Sequence, residues 1–211
     1  MDTTYPNLTV LTNPLSRHYM TVLRDKSTGV EAFREATARL AAALVLQAAK
    51  HFPVEKIEVE TPMEVTTGYR VAGQIVAVPV VRAGLGLLEG VIRQVPDLKV
   101  GYIGVARDEE TALPHSYYTK LPDLAGAHVM ILEPMLATGG SLSWAIDKVK
   151  EEGAEDITAL CVCAAPEGVD RLFSDHPNIR VITAALDRGL NENAYIQPGL
   201  GDMGDRLFGT F

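Results

Sequence analysis

The chain is poor in the residues that announce many kinds of protein. Its 211 residues include 2 cysteines, 1 tryptophan and only 6% aromatics. The cysteines, Cys161 and Cys163, stand two apart in ITALCVCAA. That spacing is neither Cys-x-x-Cys nor a zinc knuckle, so the sequence predicts two reduced core thiols on one side of a buried strand, not a metal site or a disulfide framework. Positive charge is also scarce, with 19 Lys plus Arg against 27 Asp plus Glu and a net charge of −8. Such a balance draws a chain neither to nucleic acid nor to anionic lipid, and an anionic substrate would need a local cationic site. No apolar run reaches membrane-spanning length, and the opening MDTTYPNLTVLTNP lacks a basic start followed by an apolar stretch. The expected compartment is therefore the cytoplasm. There is no internal repeat and no low-complexity linker, and the length suits one sizeable core, so a single domain over 1–211 is expected.

What is present is alternation. Helical patterns cover 14–24 and 30–51, the second with Phe33, Thr37, Leu40, Leu44 and Ala48 along one stripe. Strand-like runs follow at 55–60, 75–81, 99–105, 128–133, 157–164 and 179–185, with helical patterns at 84–94, 142–152 and 166–175 between them. Strands and helices in that order predict an α/β protein, a mostly parallel sheet flanked by helices on both faces. After Ala185 the pattern stops in LDRGLNENAYIQPGLGDMGDRLFGTF, a glycine-rich but still apolar and aromatic stretch that reads as a folded cap. Because it follows the last core strand, it is expected to be separable from the core.

The segment HVMILEPMLATGGSLSWAIDKVKEEG, at 128–153, runs a buried strand into an acidic residue, a proline and a Thr-Gly-Gly-Ser turn before a helix starts. In open α/β sheets such turns lie at the carboxyl ends of strands, where ligands bind. Gly139 and Gly140 let the backbone approach a ligand closely, and the amides of Thr138 to Ser141 sit at a helix N-terminus, an anion site suited to phosphate. The pattern is neither a P-loop nor Gly-x-Gly-x-x-Gly. Glu133, just upstream, is a carboxylate able to accept from two neighbouring hydroxyls. Phosphate plus vicinal diol suggests a ribose 5-phosphate.

These residues resemble the 5-phosphoribosyl 1-diphosphate (PRPP) motif of the phosphoribosyltransferases. The form acidic-Pro-Met-Leu-Ala-Thr-Gly-Gly-Ser is similar to that of the uracil phosphoribosyltransferase family, and VPVVRAGLGLLEG at 78–90 and NENAYIQPGLGDMGDRLFGT at 191–210 agree with it. The resemblance implies a phosphoribosyltransferase-type fold, with N-terminal helices over about 14–51, a core over about 55–185 and a C-terminal hood over about 186–211. It also implies the reaction of uracil with PRPP to give uridine 5′-phosphate and diphosphate, in pyrimidine salvage. Displacement at the anomeric carbon needs no covalent nucleophile, in keeping with a chain that lacks an evident Ser/His/Asp or Cys/His set. Catalysis then falls to positioning and to charge stabilisation on the leaving diphosphate.

The PRPP contacts carried over are Arg82, Arg107, Glu133, Pro134, Met135, Leu136, Ala137, Thr138, Gly139, Gly140, Ser141 and Asp202; those to uracil are Ile196, Gly201, Asp202 and Met203. Arg107 and Asp202 would assist the chemistry. Arg82 is expected to grip the diphosphate in a guanidinium fork. Arg107, in VARDEETALPHSYYTKLP, is expected on a lid that closes over it. The resemblance implies Mg²⁺, carried mainly by PRPP and met by Asp202 through water. It further implies a homo-oligomer and, as in some relatives, a GTP effector.

This chain departs from the family in having Glu133 where aspartate is usual, which would move the carboxylate outward by about 1.5 Å on an unchanged backbone. It also has Met203 where alanine is common. Two rivals stay open. One is an RNA-binding regulator of pyrimidine genes with the same fold, against which the acidic balance counts; the other is a PRPP enzyme for a purine base, against which the tail counts.

Overall fold

The computed structural model describes the backbone of residues 5–107 and 114–211, and the side chains of 5–105 and 117–211. In chain order the strands are β1 (Leu8–Val10), β2 (Val54–Glu60), β3 (Val65–Val71), β4 (Ile75–Val81), β5 (Lys99–Val100), β6 (Tyr102–Arg107), β7 (Pro114–Lys120), β8 (His128–Leu132), β9 (Met135–Leu136), β10 (Asp156–Ala164), β11 (Arg180–Leu186), β12 (Gly189–Leu190) and β13 (Ile196–Gln197). The helices are α1 (Pro14–Arg24), α2 (Val30–Ala48), α3 (Leu85–Gln94), α4 (Gly140–Glu151), α5 (Pro166–Asp175) and α6 (Met203–Phe208). Among the described residues the main sheet runs β1-β11-β10-β8-β4-β6-β7, with β5 beside β4 and β9 beside β10. All its pairings are parallel except that of β6 with β7.

The central strands read IVAVPVV, HVMIL and DITALCVCA because helices cover both of their faces. On one face Phe33, Leu40 and Leu44 of α2 and Leu87 and Val91 of α3 pack on Ala77, Met130 and Leu160. On the other, Leu142, Ile146 and Val149 of α4 and Leu172 of α5 pack on Val78, Val129 and Ala159. Asn13 starts α1 by accepting the Ser16 amide at 2.9 Å, with Pro14 at the first helical position. None of the described helices is long and apolar enough to cross a membrane.

Five expectations are corrected. The run at 55–60 does not join the parallel sheet. β2 pairs antiparallel with β3 as a separate ribbon, closed by a turn in which the Thr61 hydroxyl accepts the amides of Met63 and Glu64 at 3.2 and 3.1 Å. VEKIEVE carries charge at adjacent positions, Glu55 and Lys56, and so on both faces, and cannot be buried on both as a central parallel strand must be. The run at 99–105 is split at Gly101, whose amide donates to the Ala77 carbonyl. The segment expected to be a lid loop pairs instead as a ribbon, β6 with β7, from Tyr102 opposite Lys120 to Arg107 opposite Pro114. Residues 108–113 and the side chain of Arg107 lie outside the described residues.

The cysteines, finally, are buried and free but on opposite sides: Cys161 packs with the α4 and α5 layer and Cys163 with the α1 and α2 layer. The amides of Val162 and Cys163 both donate to the Pro134 carbonyl, so the regular alternation of the strand breaks there. Burial pushes both thiols up, which leaves them protonated and inert.

Nor is the tail a detachable cap. Ile196, Leu200, Met203 and Leu207 are buried in the same cluster as Phe33 and Leu132. Asp187, at the end of β11, anchors it. Its carboxylate accepts from Arg24 at 2.5 and 2.8 Å, from the Gly199 amide at 2.8 Å and from the Cys163 thiol at 3.1 Å. Arg24 also donates to the Gly199 carbonyl at 2.9 Å. Burial alone would raise the Asp187 carboxyl, yet the hydrogen bonds from Arg24, Cys163 and Gly199 outweigh it and hold the carboxyl below its ordinary value.

Breaking a buried pair strands a charge and typically costs about 3–5 kcal/mol, so Asp187→Ala should lower the unfolding free energy at pH 7 by roughly that amount in urea denaturation. A carboxyl with a depressed folded pKa stabilises above its unfolded value of about 3.9, and that stability is lost as pH falls through the folded value. Asp187→Asn should accordingly lack this part of the acid sensitivity. Equal stability of the Asp187→Ala and native proteins at pH 7 would show that the pair does not hold the tail.

Candidate active site

The carboxyl ends of β4 and β8 and the tail converge on one region. After Leu132 the chain turns through Glu133 and Pro134 into the two-residue strand β9, and the carbonyls of Pro134 and Leu136 accept amides of β10 and Ala165. Gly139 then sits at φ +79° as the N-cap of α4, a conformation that a side chain would strain. The first turn of the helix closes with Ser143 N–H on the Gly139 carbonyl at 2.8 Å. The amides of Gly140 to Leu142 precede that bond, as first-turn amides do, and carry the positive end of the helix dipole. Helix α4 thus begins two residues earlier than the sequence pattern suggested, inside the Thr-Gly-Gly-Ser turn itself.

A residue outside the motif shapes the turn. A Cβ placed on Gly168, in the first turn of α5, would stand 2.3 Å from the Ala137 carbonyl oxygen, and one on Gly139 would stand 2.9 Å from the Gly168 carbonyl oxygen. The two backbones touch, so α5 packs directly against the turn. Arg171, one helical turn further along α5, brings its Nη1 to 3.3 Å from the Cβ position of Gly140. Reading by local motif missed both residues, because they act on the turn from a separate helix.

Arg82 directly follows β4, across a Val81–Arg82 peptide bond that is cis. Its Nη2 reaches Asp205 at 3.1 Å and its Nη1 the Thr210 hydroxyl at 3.3 Å, so it spans from the sheet to the tail. The Thr210 hydroxyl, followed by Arg82, holds the Asp205 carboxyl below its usual range. The Arg82 side chain remains 54% exposed, with donors left over for a ligand.

Two adjoining cavities lie here. One, of about 230 Å³, is lined by Arg82, Ala83, Met135, Asp202, Met203 and Gly204. The other, of about 370 Å³, is lined by Met135, Ala137, Asn193, Ala194, Tyr195, Ile196, Gly201, Asp202 and Met203. Arg82, Met135, Ala137, Ile196, Gly201, Asp202 and Met203, expected as ligand contacts from three distant segments, are therefore brought together.

Other expected residues take different places. Glu133 is half-buried at the end of β8 with its amide on the Leu160 carbonyl, and it lines neither cavity. Thr138 to Ser141 form the turn beyond Ala137, also outside the two cavities. Pro134 and Leu136 have buried side chains, so only their backbones can face a ligand. Asp202 caps α6, its Oδ1 accepting the Asp205 amide at 2.8 Å. The Met203 side chain is 2% exposed and fills the floor between cavity and core.

A family model described as uracil phosphoribosyltransferase matches residues 10–210. The uracil phosphoribosyltransferase of Salinibacter ruber is 49% identical over 205 residues, which cover 97% of this chain and 98% of that protein. That of a Thermoanaerobacter species is 44% identical over 208 residues, covering 98% and 99%. Among solved structures, the AQ2163 protein from Aquifex aeolicus superposes with a TM-score of 0.90 at 38% identity, covering 95% of this chain and 97% of that one. The adenine phosphoribosyl transferase from Trypanosoma brucei, at 14% identity and a TM-score of 0.60, covering 94% and 89%, shares the fold. The match runs from the second residue after Leu8 almost to the end and takes in the strand, turn and tail that build the site, so the chain belongs to the uracil phosphoribosyltransferase family.

Proposed function

We propose that this protein transfers the 5-phosphoribosyl group of PRPP to N1 of uracil, giving uridine 5′-phosphate and diphosphate. The observation that carries the reading is the meeting of Arg82, Met135 and Ala137 with Ile196, Gly201, Asp202 and Met203 around adjoining cavities, beside a helix-terminal phosphate turn. The N1–C1′ bond forms as the C1′–oxygen bond breaks; the electron pair leaves with diphosphate and uracil loses its N1 proton. Amides of the 138–141 turn hold the 5-phosphate, fixing the ribose so that N1 attacks the face opposite the leaving group.

Glu133 accepts from the ribose hydroxyls. Arg82 and Arg107 donate to the diphosphate and stabilise the charge that grows on it. Arg82 gives up part of its hold on Asp205 to do so. The 196–203 segment supplies backbone groups that match uracil's two carbonyls and one N–H, and cytosine, with donor and acceptor reversed at one edge, leaves a group unpaired.

Mg²⁺ fits as an ion brought in with the substrate. Among the described residues no three or more His, Cys, Asp and Glu side chains are grouped to hold a metal, while the exposed carboxylate of Asp202 at the cavity rim would meet one through water. When bound, Mg²⁺ neutralises charge on the diphosphate oxygens.

The test is turnover of uracil with PRPP and Mg²⁺, with an RNA-binding titration beside it. No uridine 5′-phosphate formed would overturn the reading. Arg82→Ala should lower kcat/KM for PRPP by about 5- to 150-fold, the equivalent of about 1–3 kcal/mol for a lost charge-assisted contact. An unchanged value would take Arg82 out of the site. Glu133→Gln should weaken PRPP and uridine 5′-phosphate by about ten- to a hundredfold while sparing inorganic diphosphate. If Glu133→Gln and Glu133→Asp both match the native protein, Glu133 does not hold the ribose.

A further inference from the structure

We infer that Arg171 of α5 is a further positioning residue for the phosphoribosyl substrate, binding the outer oxygens of the 5-phosphate from the side opposite the turn amides. The inference rests on the reading that the 138–141 turn holds that phosphate. Its ground is a juxtaposition of like charge. The Arg171 guanidinium stands beside Gly140, the first residue of α4, with Nη1 at 3.3 Å and Cζ at 3.8 Å from that residue's Cβ position. A cation is the wrong sign for a helix N-terminus, where the dipole already presents positive charge. Two positive groups converging on one point are stabilised together by an anion between them, and a phosphate dianion suits both, taking amides on some oxygens and a guanidinium on others.

Among the described residues no strong ion pair neutralises Arg171. Its ion-pair partner among the described residues is Asp175, one turn along, with Nε to Oδ2 at 3.7 Å, and its side chain is 53% exposed. That contact is too long for a hydrogen bond, and it engages the Nε side of the fork. The Nη1 end is left toward the turn. Asp175 is in turn fixed to α4, since the Ser143 hydroxyl donates to its Oδ2 at 3.0 Å and lies 2.9 Å from His176 Nε2. Ser143 belongs to the first turn of α4, so the same helix that carries the anion site also orients the residue that orients Arg171. The backbone contact at Gly168 sets the distance: with no Cβ there, α5 lies close enough for Arg171 to reach Gly140.

The experiment compares the native full-length protein with Arg171→Ala and Arg171→Lys, using PRPP kinetics and binding of uridine 5′-phosphate, uridine and inorganic diphosphate. Arg171→Ala should raise the KM for PRPP and the Kd for uridine 5′-phosphate by about five- to thirtyfold, the range for a charge-assisted contact discounted for exposure. Uridine and inorganic diphosphate, which lack the 5-phosphate, should bind as before, kcat should change less than KM, and lysine should restore part of the loss. Equal KM for PRPP and equal affinity for uridine 5′-phosphate in Arg171→Ala would overturn the role of Arg171 and leave the turn as the phosphate site. A uniform loss for all four ligands, with a lowered Tm, would also overturn it, as the mark of a structural residue. A native protein with no affinity for uridine 5′-phosphate would overturn both this inference and the reading beneath it.

Discussion

Asp187 is the point at which three separate parts of the chain are joined. A nearly buried carboxylate accepts from a guanidinium of α1, a thiol of β10 and an amide of the tail, and the charge it carries is tolerable only because all of these donors are present. The sheet would exist without that interaction. The relation of the tail to the sheet depends on it together with the packing of the tail into the core. Arg206 reinforces it from the other side, donating to the carbonyls of Leu23, Asp25 and Leu200 and lying over the Phe33 ring at 4.3 Å. Two arginines thus bind the segment from Asp187 to the C-terminus to the first helices.

The site inherits its precision from that arrangement. A parallel sheet with covered faces delivers β4 and β8 side by side, so Arg82 and the 133–141 turn emerge at the same edge. The tail is held against that edge by Asp187 and by the packing of Ile196, Leu200, Met203 and Leu207 into the main core. The two cavities and the turn beside them are therefore placed by rigid elements, and Arg82 already spans from the sheet to the tail through Asp205. The polar groups of the tail matter here: Asp205 and the Thr210 hydroxyl keep an exposed arginine oriented without burying it.

Much of this was legible in the residues themselves. Apolar continuity marked β4, β8 and β10 as central parallel strands, since only strands covered on both faces can be uninterrupted. The stripe of Phe33, Leu40 and Leu44 marked the core face of α2, and all three side chains are fully buried. The helical pattern over 14–24 marked α1, which spans Pro14–Arg24. The glycine pair at 139 and 140 signalled a turn needing backbone freedom, and Gly139 does adopt a left-handed conformation. These are local properties: periodicity, capping and permitted dihedrals act over a few residues, so a short window of sequence carries them.

What lay beyond the sequence was decided by contacts between distant segments. VEKIEVE reads as a strand, but its charges leave neither face buried and it pairs with β3 outside the main sheet. The two cysteines alternate in sequence yet face opposite layers, because one carbonyl, that of Pro134, takes two successive amides. The tail looked like a cap and is part of the core, because Asp187 and Arg206 draw it in. Gly168 and Arg171 carry no motif at all; their significance arises from the close approach of α5 to the turn. Local chemistry along the chain determined which elements form and where an anion could be held, whereas which groups meet around it is a property of three-dimensional packing, whose partners stand tens to more than a hundred residues apart.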